Sequence, residues 1–286
     1  MRRVVVPAVL LLVVLVAGCT GAGTGSTVSS SPTTSTTVSP STSPLPPVVE
    51  CPGVGEFEEG GSIADIPAEG SDSRNIGRIS WERSDRCETF HFEFMTSEGA
   101  PATTAPALSV DHLESFQVIR VSLDIETTSV TEQLVETGLV DRLYVVRSLS
   151  GDLFLDLHLA EPAAARASVS SSPARLSLEL RPGFVPFTGI STVGEDFVLT
   201  SPAQTEVDGD IQLLGYARTT AGEVTALATQ DDSVVAEATA TTADASGSWA
   251  EYRIDLSLPP GQVSVFIGEE NADEGLQGIT LDLTVN

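Results

Sequence analysis

Cys19 is the residue whose surroundings prescribe a reaction most directly. It follows Val16-Ala17-Gly18 at the end of an apolar run, Val4 to Val16, which itself follows two arginines, Arg2 and Arg3. A basic start, an apolar middle and a small-residue end make signal-peptide anatomy. A small residue before a cysteine suits lipoprotein signal peptidase, because a diacylated side chain needs a tight site with little bulk beside it. The run is about a dozen residues, whereas a bilayer-spanning helix takes about 20, so it reads as a signal rather than a permanent span. The expectation is removal of residues 1–18 and lipidation of Cys19; the competing reading is ordinary cleavage and secretion.

Cys51 and Cys87 are then an even pair in an oxidising compartment, for which a disulfide is the natural reading. It would close a loop of about 37 residues, stabilise by roughly 4 kcal/mol on the chain-entropy estimate, and staple the Gly- and acid-rich segment 52–75 onto the first domain. A catalytic thiol is the weaker alternative, since Glu88 follows Cys87 and the chain has no Cys-x-x-Cys.

Catalytic motifs are wanting. All fourteen basic residues are arginine, so no Walker, Schiff-base or Ser-x-x-Lys lysine exists. No Gly-x-Ser-x-Gly pentapeptide occurs either. The three histidines, His91, His112 and His158, stand apart. Asp156 and His158 would share a strand face, as two metal ligands or as exposed polar alternation. Acidic turns at Asp208 and Asp210, at Asp231-Asp232, and at Glu269, Glu270 and Asp273 are candidates for calcium, although none follows the EF-hand spacing; solvated turns are the alternative. Paired carboxylates would also suit a glycosidase, but two Trp and three Tyr supply a sugar cleft poorly. No cofactor is expected.

Loss of Arg2 and Arg3 takes the formal charge from −26 to −28. Such a surface repels nucleic acid and anionic headgroups, so the membrane is to be held through the N-terminal lipid.

The elements that must carry these residues are strands. Residues 20–47 are nearly all Ser, Thr, Pro and Gly and read as a disordered linker, with a reach of roughly 30 Å. Beyond them apolar residues alternate over Phe90–Phe94, Phe116–Ile125, Arg142–Val146, Leu153–Leu159 and Leu176–Leu180. Ser129-Val130-Thr131-Glu132 has capping-box spacing and Gly138 stands at a C-cap position, predicting a short helix over Val130–Thr137. The breakers at 181–186 mark a boundary. Seven short strands come after it, over Phe197–Thr200, Ile211–Ala217, Val224–Thr229, Val234–Ala240, Tyr252–Leu258, Val263–Ile267 and Ile279–Val285, the pattern of an antiparallel sandwich with Trp249 as its large core anchor. The predicted architecture is mostly β, with two β-sandwich-type domains in tandem. It comprises a signal peptide (1–18), a lipidated cysteine and linker (19–47), a first β domain with one short helix (48–183), an interdomain linker (184–195) and an immunoglobulin-like sandwich (196–286).

Residues 74–183 resemble the AMIN-like domain of bacterial envelope lipoproteins. The resemblance rests on Asp85-Arg86 leading into Phe90–Phe94, on the runs 141–147 and 151–157, and on the closing stretch 172–180, where Glu179 stands in place of the more usual aspartate. Residues 196–286 resemble the immunoglobulin-like domain found beside spore-germination modules (Gmad2), through Ser201-Pro202, Val207, Gly215-Tyr216-Ala217, Trp249 and the run 278–285; an aromatic-acid pair expected after Ala217 is replaced by 219–223. The resemblances imply a non-catalytic envelope binding module; with the lipidated Cys19 and the linker, the expectation is a lipid-anchored protein on the extracytoplasmic face of the cell membrane that binds peptidoglycan or another envelope protein. The alternatives are a carrier for a small apolar or lipidic ligand and a cell-wall hydrolase.

Overall fold

Phe90, Phe92 and Phe94 alternate along one strand and all three are buried, while His91 and Glu93 between them are half-buried. Period-two patterning of this kind sets the two faces of each sheet. The structure is a computed structural model that describes residues 51–286, apart from 68–69, 85, 126, 136, 190 and 272–274 and the side chains at 114, 270, 271 and 275. Cys19, the signal peptide and the linker lie outside the described residues, as does Asp273.

The first half of the described chain runs through β1 (Gly61–Ile66), β2 (Asn75–Arg83), β3 (Glu88–Met95), β4 (Leu108–Leu113), β5 (Val118–Leu123), β6 (Thr127–Thr128), β7 (Gln133–Leu134), β8 (Val140–Arg147), β9 (Leu153–Leu159), β10 (Ala163–Ser170) and β11 (Arg175–Pro182). The second half adds β12 (Thr192–Val193), β13 (Phe197–Ser201), β14 (Glu206–Val207), β15 (Asp210–Ala217), β16 (Glu223–Gln230), β17 (Ser233–Thr241), β18 (Ala250–Ser257), β19 (Gly261–Asn271) and β20 (Gly275–Val285). The chain is mostly β, as its alternation predicts; among the described residues the helical element is a 3-10 turn, Glu114–Phe116.

Two sheets bound the first core. The sheet β10-β11-β3-β2-β6 contributes its three phenylalanines with Leu176, Leu178 and Leu180, and the strands β1-β4-β5-β9-β8 contribute Val121, Leu143, Leu155 and Leu157. A second core lies between β18-β15-β13-β12 and β14-β20-β19-β16-β17, filled by Phe197, Leu213, Tyr252, Ile254, Val265 and Leu283. The halves are not separate beads. β8 and β18 pair in parallel at Arg147 and Ala250, and the Arg147 N–H donates to the Trp249 carbonyl at 3.0 Å, making one sheet of ten strands. Val48–Asn286 is accordingly one compact unit.

The cysteine pair is disulfide-bonded, Cys51 to Cys87, with Cα atoms 5.7 Å apart. The stapled segment is held further by Glu179, which accepts from the Gly53 N–H at 2.9 Å and from Arg166 Nε. Arg166 also donates to the carbonyls of Gly55 and Cys51. Phe57 sits with the guanidinium groups of Arg166 and Arg181 each 4.4 Å from its ring centre, a cation–π arrangement that packs an otherwise core-poor segment.

The helix expected over Val130–Thr137 is not formed. Thr128 Oγ1 accepts from the Val130 N–H at 3.0 Å, Gln133 and Leu134 pair with β8, and the Thr137 N–H donates to the Val140 carbonyl. Local pairing therefore claims the donors a helix would use, and β-branched Val130, Thr131, Val135 and Thr137 suit it better. Glu88, 3% exposed, takes the Thr137 hydroxyl and the N–H groups of Gly138 and Leu139. Gly138 is a turn residue: a Cβ there would lie 2.9 Å from Arg83 Nη2 and 3.2 Å from Glu88 Oε1.

Candidate functional site

Every residue of β9 is buried. Leu153, Leu155, Leu157 and Leu159 enter the first core, so Phe154, Asp156 and His158 must point the other way, as alternation requires. The groups that cover them come from the second half. In β15 and β13 the core takes Leu213, Ala217, Phe197 and Leu199, which turns Tyr216 and Val198 outward. These outward faces meet in a cluster of Tyr144, Val146, Phe154, Val198, Tyr216 and Trp249.

Trp249 is 2% exposed but belongs to this junction rather than to the second core, contrary to expectation. Its ring lies edge-on to Tyr144 at 4.8 Å and to Tyr216 at 5.8 Å, the geometry aromatic quadrupoles favour. Its Nε1 donates to Glu132 Oε2 at 3.1 Å, and Glu132 also pairs with Arg142 at 3.2 Å. Arg218 is tied to Asp196 at 2.6 Å and its guanidinium lies 5.6 Å from the Trp249 ring centre. Glu132, the residue expected to close a capping box, is therefore a junction residue.

Asp156 and His158 are neither exposed nor metal ligands in waiting. Asp156 is fully buried and receives Nε and Nη2 of Arg120, both at 2.8 Å. That bidentate geometry offsets the cost of burying the charge. Burial opposes the Arg120 charge, but Asp156 more than compensates and raises the guanidinium pKa above its ordinary value. His158 hydrogen-bonds through Nε2 to the Tyr216 hydroxyl. Burial pushes the His158 pKa down to about 4, against the pull of Asp156 and with Arg142 and Arg120 adding to the effect. Burial, and then the Asp156 charge, hold the Tyr216 hydroxyl protonated, its pKa well above the usual phenol value. A neutral imidazole and a protonated phenol share this hydrogen bond and tie the two halves together.

Beside the weld the junction opens. A cleft of about 490 Å³ has Phe154 and Arg120 in its wall, with Asp65, Asp124 and Asp152 from the first half and Glu251 from the second. Ser109, Ser122, Ser148 and Ser150 complete the polar lining. The Arg120 guanidinium stacks 4.0 Å above the Phe154 ring, so its position is set from two sides. Glu251 accepts from the Leu149 N–H at 2.9 Å, and Asp152 accepts from Ser150 Oγ at 3.1 Å. A second, smaller recess of about 270 Å³ lies against Trp249, Glu132, Arg147 and Arg218.

The calcium candidates are not brought together. Val207, just before Asp208, and Gly261, at the start of β19, both pair with Val285, whereas Glu269 lies eight residues further along that strand, about 27 Å at ~3.4 Å per residue. Asp210 accepts from Ser257 Oγ at 2.7 Å. Among the described residues no group of three or more His, Cys, Asp or Glu is placed to hold a metal ion. The Glu270 side chain is outside the described set. His91 meets Ser177 Oγ at 3.0 Å on the opposite sheet, remote in the fold from His158.

Sequence reasoning singles out Asp156, His158 and Trp249, but it names Glu132 only as a capping residue, Tyr216 only within the Gmad2-like stretch, and Arg120 not at all. An arginine alternating with apolar residues in Val118-Ile119-Arg120-Val121 and an aspartate alternating in Leu155-Asp156-Leu157 are the available signal. Comparison with protein-family models, with curated proteins and with solved structures finds no match to this chain.

Proposed function

We propose that this chain is a non-catalytic lipoprotein, anchored through Cys19 on the extracytoplasmic face of the cell membrane, whose fused β halves bind cell-wall material or an envelope protein. The observation that carries the reading is the junction cleft. Glu251 from the second half joins a lining otherwise drawn from the first, and the buried aromatic cluster with the His158–Tyr216 hydrogen bond holds the halves together beside it, so the site is preorganised. The lipobox, the Ser/Thr/Pro-rich segment behind it and the absence of catalytic motifs from the sequence support the same reading. The resemblance to AMIN-like modules supports the choice of wall material.

Two measurements test it. Fatty-acid labelling of the full chain in its host is expected to mark the wild type and not Cys19→Ala, with the variant released from the membrane. Incubated with purified peptidoglycan sacculi, the protein is expected to sediment with them. Recovery in the supernatant would remove the wall-binding half of the proposal, and an unlabelled wild type would remove the anchor.

A further inference from the structure

We propose that the junction cleft recognises a small zwitterion, a free ammonium and a free carboxylate carried on one short peptide-sized unit. The inference rests on the reading of this body as a binding module, and it specifies which ligand class the cleft takes.

Arg120 spends Nε and Nη2 on Asp156, which leaves Nη1 as its remaining amine, and the residue lines the cleft. Its side chain is a quarter exposed. Stacked on Phe154 and gripped by a carboxylate with no solvent exposure, it is a donor fixed before any ligand arrives. Fixed donors bind carboxylates with little ordering cost. An anion alone is nevertheless a poor occupant. Asp65, Asp124, Asp152 and Glu251 also line the cleft, and the Arg120 charge is already balanced by Asp156, so the lining is net negative and repels a ligand without a compensating cation.

A cation alone is drawn by the carboxylates but leaves the Arg120 donor unused. A ligand with both charges answers both demands: its carboxylate on Arg120 and its ammonium among the aspartates and Glu251. The serines add hydroxyl partners for the peptide groups between. Uncharged sugars would satisfy the serines but would make no use of the charges.

Titration calorimetry on the mature chain with alanyl-alanine tests this, against acetyl-alanyl-alanine, which lacks the ammonium, and alanyl-alanine amide, which lacks the carboxylate. The zwitterion is expected to bind, and each blocked form to bind at least about tenfold more weakly. Asp124→Asn and Glu251→Gln, both close in shape, are expected to weaken the zwitterion about tenfold or more while unfolding like the wild type. Arg120→Lys, with folding checked by the same melt, keeps the charge and loses the fork, and is expected to weaken the zwitterion and the amine-blocked form together. Equal binding of all three peptides, no binding of any, or affinity unchanged in all three variants overturns the inference. Retention on sacculi that excess alanyl-alanine does not displace would sink the zwitterion while leaving wall binding intact. Zwitterion binding without sacculus retention would do the reverse.

Discussion

Tyr216, on β15 of the second sandwich, hydrogen-bonds His158 Nε2, on β9 of the first, and neither side chain is more than 7% exposed. A buried imidazole that loses its partner keeps its desolvation cost. Tyr216→Phe preserves the ring contacts with Tyr144 and Trp249 but strands His158, at an expected cost of about 1–3 kcal/mol. Chemical denaturation reads this as a lower midpoint at unchanged slope. A variant as stable as wild type would show that the hydroxyl contributes nothing to the weld.

The same histidine makes stability depend on pH. Its pKa falls from the ordinary 6.5 to about 4 on folding, so between those values the unfolded chain binds a proton that the folded chain refuses. Stability therefore rises with pH through this window: the contribution is complete above about 6.5 and is lost progressively as pH falls toward 4. Its full size is on the order of 3 kcal/mol. The groups around His158 are Asp156, Arg142, Arg120, Asp141 and the two phenols of Tyr144 and Tyr216. Comparing melts of the wild type and His158→Gln between pH 4 and 7 isolates the effect, and the variant is expected to show a shallower slope. Parallel curves would place the pH dependence elsewhere.

Legibility from sequence differs between elements. Leu153–Leu159 is legible to the residue, and Phe90–Phe94 and the seven later strands are legible in outline, because apolar alternation along a strand is a local signal. β10, with Ala163-Ala164-Ala165 followed by Arg166, and the bulged β2 carry no clean alternation, and neither is visible in the sequence. The short helix fails for a different reason. Its capping residues are real, but Glu132 is drawn to Trp249 and Arg142, which are distant or across the hairpin. At the junction, Asp156 and His158 look like surface polar positions, because nothing local announces that a second sandwich covers them. Trp249 falls to the wrong core for the same reason.

The Arg120–Asp156 pair separates charge burial from charge pairing. Asp156→Asn leaves the Arg120 guanidinium, largely withdrawn from solvent, facing a neutral amide, and is expected to cost about 3–5 kcal/mol. Arg120→Met with Asp156→Leu removes both charges and fills similar volume, so the double variant is expected to be more stable than either single change by several kcal/mol. A thermodynamic cycle from denaturant melts gives the coupling. If the single costs simply add, the pair is not the unit inferred from its geometry.

Trp249 is the clearest test of whether the halves act as one body. Each half has its own core, and they meet through one parallel bridge, the cluster around Trp249, the His158–Tyr216 and Leu149–Glu251 hydrogen bonds, and the ion pairs Arg218–Glu132 and Arg147–Asp244. Removing the indole deletes two edge contacts with tyrosines and the Glu132 hydrogen bond, and leaves a cavity at the junction, for which about 3–5 kcal/mol is expected. Because neither core is touched, the loss should fall on coupling rather than on the folding of either half. Wild type is expected to melt in one calorimetric transition, and Trp249→Ala in two, with the second half released from the first at the lower temperature. One transition, displaced but still matching the van't Hoff enthalpy for the whole unit, would mean that the sheet continuity through Arg147 and Ala250 suffices to couple them.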